Sequence, residues 1–91
     1  MIVGRFRIVN EKGLHARAAT QFVKAATQFK AEISVARNGN AAKANGKSVM
    51  SLLTLAAPRG TEIEIIANGE DATEALAALG GLVERGFGEV S

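Results

Sequence analysis

Ninety-one residues suffice for one domain with one core, so the chain reads as a single unit, 1–91, with no room for a separate substrate domain or a deep enzyme pocket. Eleven basic against nine acidic residues give a formal charge of +2 without a long Lys/Arg run, and Trp and Tyr are absent, which together speak against a nucleic-acid partner. With no cysteine to form disulfides, thiolate nucleophiles or Cys-based zinc sites, and no signal-peptide or membrane-spanning pattern, the expectation is a cytoplasmic protein without membrane insertion.

From Ile2 to Val9 the residues alternate, Phe6 and Ile8 on one face and Arg5 and Arg7 on the other, which predicts a first strand wet on one side. Asn10-Glu11-Lys12-Gly13 breaks the alternation. From Ala16 to Phe29 the period becomes helical, with Ala19, Phe22, Val23, Ala26 and Phe29 in one stripe, so a first helix begins just after His15. Ala31 to Arg37 alternates again around Ile33 and Val35, and Asn38-Gly39 supplies hairpin-turn residues before a weak third strand at Ala41 to Ala44. Asn45-Gly46 ends that strand. Lys47-Ser48 opens a short second helix carrying Val49, Leu52 and Leu53, and Pro58-Arg59-Gly60 is a turn.

Thr61 to Ala67 is the clearest strand, alternating Ile63 and Ile65 with Glu62 and Glu64. After the Asn68-Gly69 turn, Asp71 is an N-cap candidate for a third helix in which Leu76, Leu79 and Val83 repeat, running to about Arg85. Gly80-Gly81 in its interior costs roughly 1 kcal/mol per glycine relative to alanine, which predicts local fraying or close packing against a neighbour. Gly86-Phe87-Gly88 ends the helix. The order β-α-β-β-α-β-α, with polar alternation on each strong strand, implies an α+β fold: a four-stranded antiparallel sheet, three helices on one face and solvent on the other, an open-faced β-sandwich.

His15 and Arg17 straddle a loop-to-helix boundary. The first turn of a helix has unpaired N–H groups and a partial positive charge that binds anions and favours a neutral imidazole, one ring nitrogen of which is then a nucleophile. Arg17 adds a planar cation suited to phosphoryl oxygens. Spacing alone equally allows a histidine that caps a helix beside an ordinary solvated arginine. With a single histidine and no cysteine, no metal site is assigned, and Glu62 with Glu64 on an exposed face form no acid-base pair.

Gly13-Leu14-His15-Ala16-Arg17-Ala18-Ala19 resembles the active-site motif G-L-H-x-R-P-A of the HPr family, the histidine-containing phosphocarriers of the bacterial phosphotransferase system; six of the seven positions agree. Asn45-Gly46-Lys47-Ser48-Val49-Met50-Ser51 resembles that family's regulatory serine segment, and the resemblance spans essentially the whole chain. It implies that His15 is phosphorylated through Nδ1, that Arg17 stabilises the phosphoryl group beside the backbone of Ala16, Arg17 and Ala18, and that Ser48 is a candidate regulatory phosphorylation site. It also implies a partner-docking surface of Leu14, Lys47, Met50 and Leu53, and no cofactor. The implied partners are an enzyme I-type donor, an EIIA-type acceptor and an HPr serine kinase/phosphorylase, all met by a monomeric carrier rather than a turnover enzyme.

Two departures stand out. Ala18 replaces the family's proline, which predicts a looser active-site loop or an altered partner preference with phosphorylation intact. The Asn38–Gly46 hairpin is about two residues longer than is common in the family, at a turn tip where insertion is cheap. Ser48 is also a simple N-cap worth about 1 kcal/mol, and Met50 fits a core as well as an interface. The competing functions are a nitrogen-type regulatory phosphorelay, a small acyl-phosphate hydrolase and a nucleic-acid-binding α+β module.

Overall fold

The computed structural model describes residues 1–38 and 42–89. Along the chain run β1 (Ile2–Arg7), α1 (Ala16–Ala26), β2 (Glu32–Arg37), β3 (Ala44–Asn45), α2 (Val49–Leu53), β4 (Glu62–Asn68) and α3 (Ala72–Glu84), followed by a 3-10 turn at Gly86–Gly88. The four strands form one antiparallel sheet in the order β1-β4-β2-β3. Register makes the two faces unlike. Phe6 opposite Ile63 and Val35 opposite Ile65 point to the helices, whereas Arg5 opposite Glu64 points outward, where Arg5 Nε lies 3.0 Å from the carboxylate. The core lies between sheet and helices, with Ile8, Phe22, Ile33, Val35, Leu52, Ile63, Ile65, Leu79 and Val83 buried.

The elements agree with the sequence reading, and their ends differ for local reasons. The first strand stops at Arg7 because Ile8 already bonds to the turn, its N–H donating to Thr61 O at 2.9 Å and its carbonyl accepting from Gly60 N at 2.7 Å. Helix α1 stops at Ala26 rather than Phe29: Gln28 and Phe29 bond three residues back, tightening the last turn, and the Thr27 hydroxyl takes the Lys24 carbonyl. Phe29 still packs against the core. The third strand is Ala44–Asn45 rather than Ala41–Ala44, paired with Val35 and Ser34; Ala41 and the Gly39 half of the hairpin lie outside the described residues.

Helix α3 settles the two expectations for Gly80 in favour of close packing. A Cβ on Gly80 would fall 2.3 Å from two ring carbons of Phe6, so the missing side chain is what lets α3 press onto β1. Asp71 stands at the N-cap position of α3 but makes no cap bond. Its carboxylate instead accepts from the N–H groups of Lys30 and Ala31, both at 2.8 Å, which fastens the start of α3 to the entry of β2. Those donors, Lys30 foremost, hold the Asp71 carboxyl below its ordinary range.

Candidate functional site

The loop before α1 is shaped by Gly13. Its φ of 68° is left-handed, and a Cβ there would sit 2.6 Å from Ala57 O and 2.8 Å from Pro58 Cα, so no other residue fits without displacing the neighbouring backbone. Leu14 N–H then donates to Ala57 O at 2.9 Å and His15 N–H to Gly13 O at 2.9 Å. The result is an anchored loop that delivers His15 to the N-cap of α1 in extended backbone, φ −87° and ψ −178°. Ala18 follows fully buried, so its side chain packs in the core.

His15 does not cap its helix through its side chain. The first backbone bond of α1 runs from Ala19 N–H to His15 O at 2.8 Å, and among the described residues no group accepts from the N–H of Ala16, Arg17 or Ala18. Three donors and the positive end of the helix dipole therefore remain open beside the imidazole. The Arg17 guanidinium is exposed, has no hydrogen-bond partner among the described residues, and borders a shallow pocket of about 410 Å³ shared with Glu11, Lys12, Gln21, Phe87 and Glu89.

The sequence reading missed the third charged member of the site. Glu89 arrives from the far end of the chain, where Phe87, buried and left-handed at φ 58°, turns the backbone after α3. Glu89 Oε2 lies 2.5 Å from His15 Nε2, and Glu89 Oε1 accepts from Asn10 Nδ2 at 2.9 Å. The Asn10 hydrogen bond most strongly, with His15 and Arg17 behind it, depresses the Glu89 carboxyl against the opposing effect of desolvation. An ionised carboxylate only accepts hydrogen bonds, so Nε2 is the protonated ring nitrogen. In the neutral ring Nδ1 then keeps its lone pair. No short-range pattern marks Glu89 in the sequence; the only available signal is the general need of a working histidine for a carboxylate on its second nitrogen, and nine acidic residues compete for that place.

The other predicted site residues divide. Ser48 is the N-cap of α2, its Oγ accepting from Ser51 N–H at 3.2 Å. Met50 is 75 % exposed, and Leu53 is half-buried against the core. Leu14 is a correction: it is only 6 % exposed and packs in the core rather than on a docking surface. Lys47 is half-buried, with Nζ donating to Phe29 O at 2.7 Å.

A family model described as "PTS HPr component phosphorylation site" matches residues 3–85. The chain is 45 % identical over 89 residues to the phosphocarrier protein HPr of Neisseria meningitidis serogroup A, covering 98 % of each. Its fold matches that of HPr-C-His from Thermoanaerobacter tengcongensis with a TM-score of 0.91, 37 % identity and complete coverage of both chains. An HPr dimer from the same organism matches with a TM-score of 0.74 and 39 % identity, over 92 % of this chain and 94 % of that one.

Proposed function

The chain belongs to the HPr family, the phosphocarriers of the phosphotransferase system, and on that premise we propose that His15 carries the phosphoryl group on Nδ1. The observation that supports this is the tautomer set by Glu89: with the proton on Nε2, Nδ1 is the ring nitrogen with a lone pair, beside three unpartnered N–H groups and the Arg17 guanidinium. Phosphoryl transfer asks for little more than position and charge stabilisation. As the Nδ1–P bond forms, the P–N bond to the donor's histidine breaks. The ring gains positive character that Glu89 offsets, while Arg17 and the N–H groups of Ala16, Arg17 and Ala18 take the phosphoryl oxygens. The proton on Nε2 stays in place, and the same steps in reverse order release the group to an acceptor.

In this reading the donor is an enzyme I-type phosphohistidine and the acceptor an EIIA-type histidine. The chain acts in the cytoplasm as one domain and as a monomer, and Met50 and Leu53 face the partners. Among the described residues no helix is long and apolar enough to cross a membrane. Ser48 is the proposed target of a serine kinase: phosphate there adds negative charge at the start of α2, two residues from the exposed Met50, and weakens docking while the fold stays intact. Incubation with phosphoenolpyruvate and the upstream enzyme should place acid-labile phosphate on the wild type and none on His15→Ala; labelling that persists in the variant sinks the proposal. Transfer rates to sugar-type and nitrogen-type acceptors assign the branch, and sedimentation with and without phosphorylation checks the monomer.

A further inference from the structure

Asn10 lies in the loop between β1 and α1, is only 2 % exposed, and has no part in the phosphoryl chemistry above. Its Nδ2 is shared by two acceptors, Gly13 O at 2.8 Å and Glu89 Oε1 at 2.9 Å. Neither can donate, so the amide can meet them only with its NH2 end, and the orientation is fixed by chemistry. The consequence is an orphan: Asn10 Oδ1 is buried with no hydrogen-bond partner among the described residues.

Both of its acceptors lead to His15. Gly13 O also accepts from His15 N–H at 2.9 Å, and the second oxygen of Glu89 meets His15 Nε2 at 2.5 Å. Asn10 thus ties the backbone that carries the histidine to the carboxylate that holds its ring, across 79 positions of sequence. Without that tie His15 is the one remaining hydrogen-bond partner of the Glu89 carboxylate among the described residues.

We infer that Asn10 is a positioning residue for phosphoryl transfer, holding Glu89 against His15 Nε2 so that Nδ1 is left as the reacting nitrogen. This rests on the proposed role of His15, but the Asn10–Glu89 link can be read without any phosphoryl donor. Besides Asn10, the titratable and charged groups around Glu89 are His15 at the N-cap of α1, Arg17 in its first turn, and Glu11 and Lys12 from the loop before it.

The first experiment follows the Glu89 carboxyl carbon by 13C NMR as pH is varied in wild type and Asn10→Ala, with the fold of the variant checked by its amide spectrum. The midpoint should rise in the variant, and in the wild type the Asn10 side-chain amide protons should shift along the same titration curve as Glu89. Should Asn10→Ala fail to fold, the wild-type amide protons decide alone. An unmoved midpoint in a folded variant, or Asn10 protons indifferent to the Glu89 titration, overturns the inference whatever happens to transfer.

The second experiment is a cycle with Glu89→Ala. Phosphoryl transfer from the upstream donor should fall about tenfold in Asn10→Ala, and by less than about twofold when Asn10→Ala is added to Glu89→Ala. Losses that simply multiply overturn the inference, because Asn10 would then act through Gly13 alone. A wild type that accepts no phosphoryl group at all defeats the proposed function instead, and the titration still decides the link.

Discussion

Helix α1 and helix α2 both start from a polar residue in extended backbone, His15 (φ −87°, ψ −178°) and Ser48 (φ −131°, ψ 118°), yet only Ser48 turns its side chain onto its own helix. At α2 the hydroxyl satisfies Ser51 N–H. At α1 the imidazole is drawn the other way, to Glu89, and the N–H groups of Ala16, Arg17 and Ala18 are left unpartnered. A cap of the second kind gives up roughly 1 kcal/mol that a serine would supply, and in exchange the helix start stays open to an anion. The stability is made up next door, where Gly13, Leu14 and Asn10 bond the loop to its surroundings. The two helix starts thus separate a site that binds from a cap that stabilises.

The largest effect expected from that separation comes from His15→Ser. Phosphoryl uptake should vanish, while a serine able to cap α1 should raise stability by about 0.5–1 kcal/mol, read by urea denaturation. A variant that loses stability by more than that amount would show that His15 holds the fold as well as the phosphate. Next comes Arg17→Ala. The side chain is exposed and without a hydrogen-bond partner among the described residues, so melting should change by no more than about 0.5 kcal/mol while single-turnover transfer slows by about 10²–10³-fold.

How much of this could be read from the residues follows the same divide. Strands such as Glu62–Asn68 and the apolar stripe of α1 are local patterns, and local patterns were legible to within one to three residues. So was the place of His15 at the start of a helix, with Arg17 two positions on. Glu89, 74 positions after His15, was not, because its place beside the histidine depends on how the chain turns at Phe87. Asn10 read only as a break in an alternating strand. Leu14 reads as surface beside the site, whereas its side chain joins a core assembled from distant parts of the chain. Asp71 was rightly put at a helix start, but its carboxylate answers to Lys30 and Ala31.

At α2 the expected effects are smaller and of opposite kind. Ser48→Ala removes the cap and should cost about 1 kcal/mol, with phosphoryl acceptance from the upstream enzyme within about twofold of wild type. Ser48→Asp keeps a competent cap and adds a charge near Met50, so it should melt like wild type and dock more weakly, seen as a raised KM for the carrier in the donor's assay. If Ser48→Ala slowed transfer as strongly as Arg17→Ala, the two helix starts would share one task, and the contrast between them would fail.

The smallest effect belongs to a third helix start, where Asp71 stabilises by bonding across to β2. Its carboxyl titrates lower in the folded chain than in the unfolded one, since Lys30 and Ala31 N–H groups favour the ionised form. The stability it contributes is therefore complete above the ordinary aspartate value, near pH 4, and is lost as pH falls through the lower folded midpoint. Asp71→Asn should lower the thermal midpoint at pH 7, and the gap to wild type should close as acid protonates the wild-type carboxylate. Melts recorded from neutral pH downward check this. A gap that stays constant into strong acid would mean that the charge of Asp71 contributes nothing, and that its place at the head of α3 matters through shape alone.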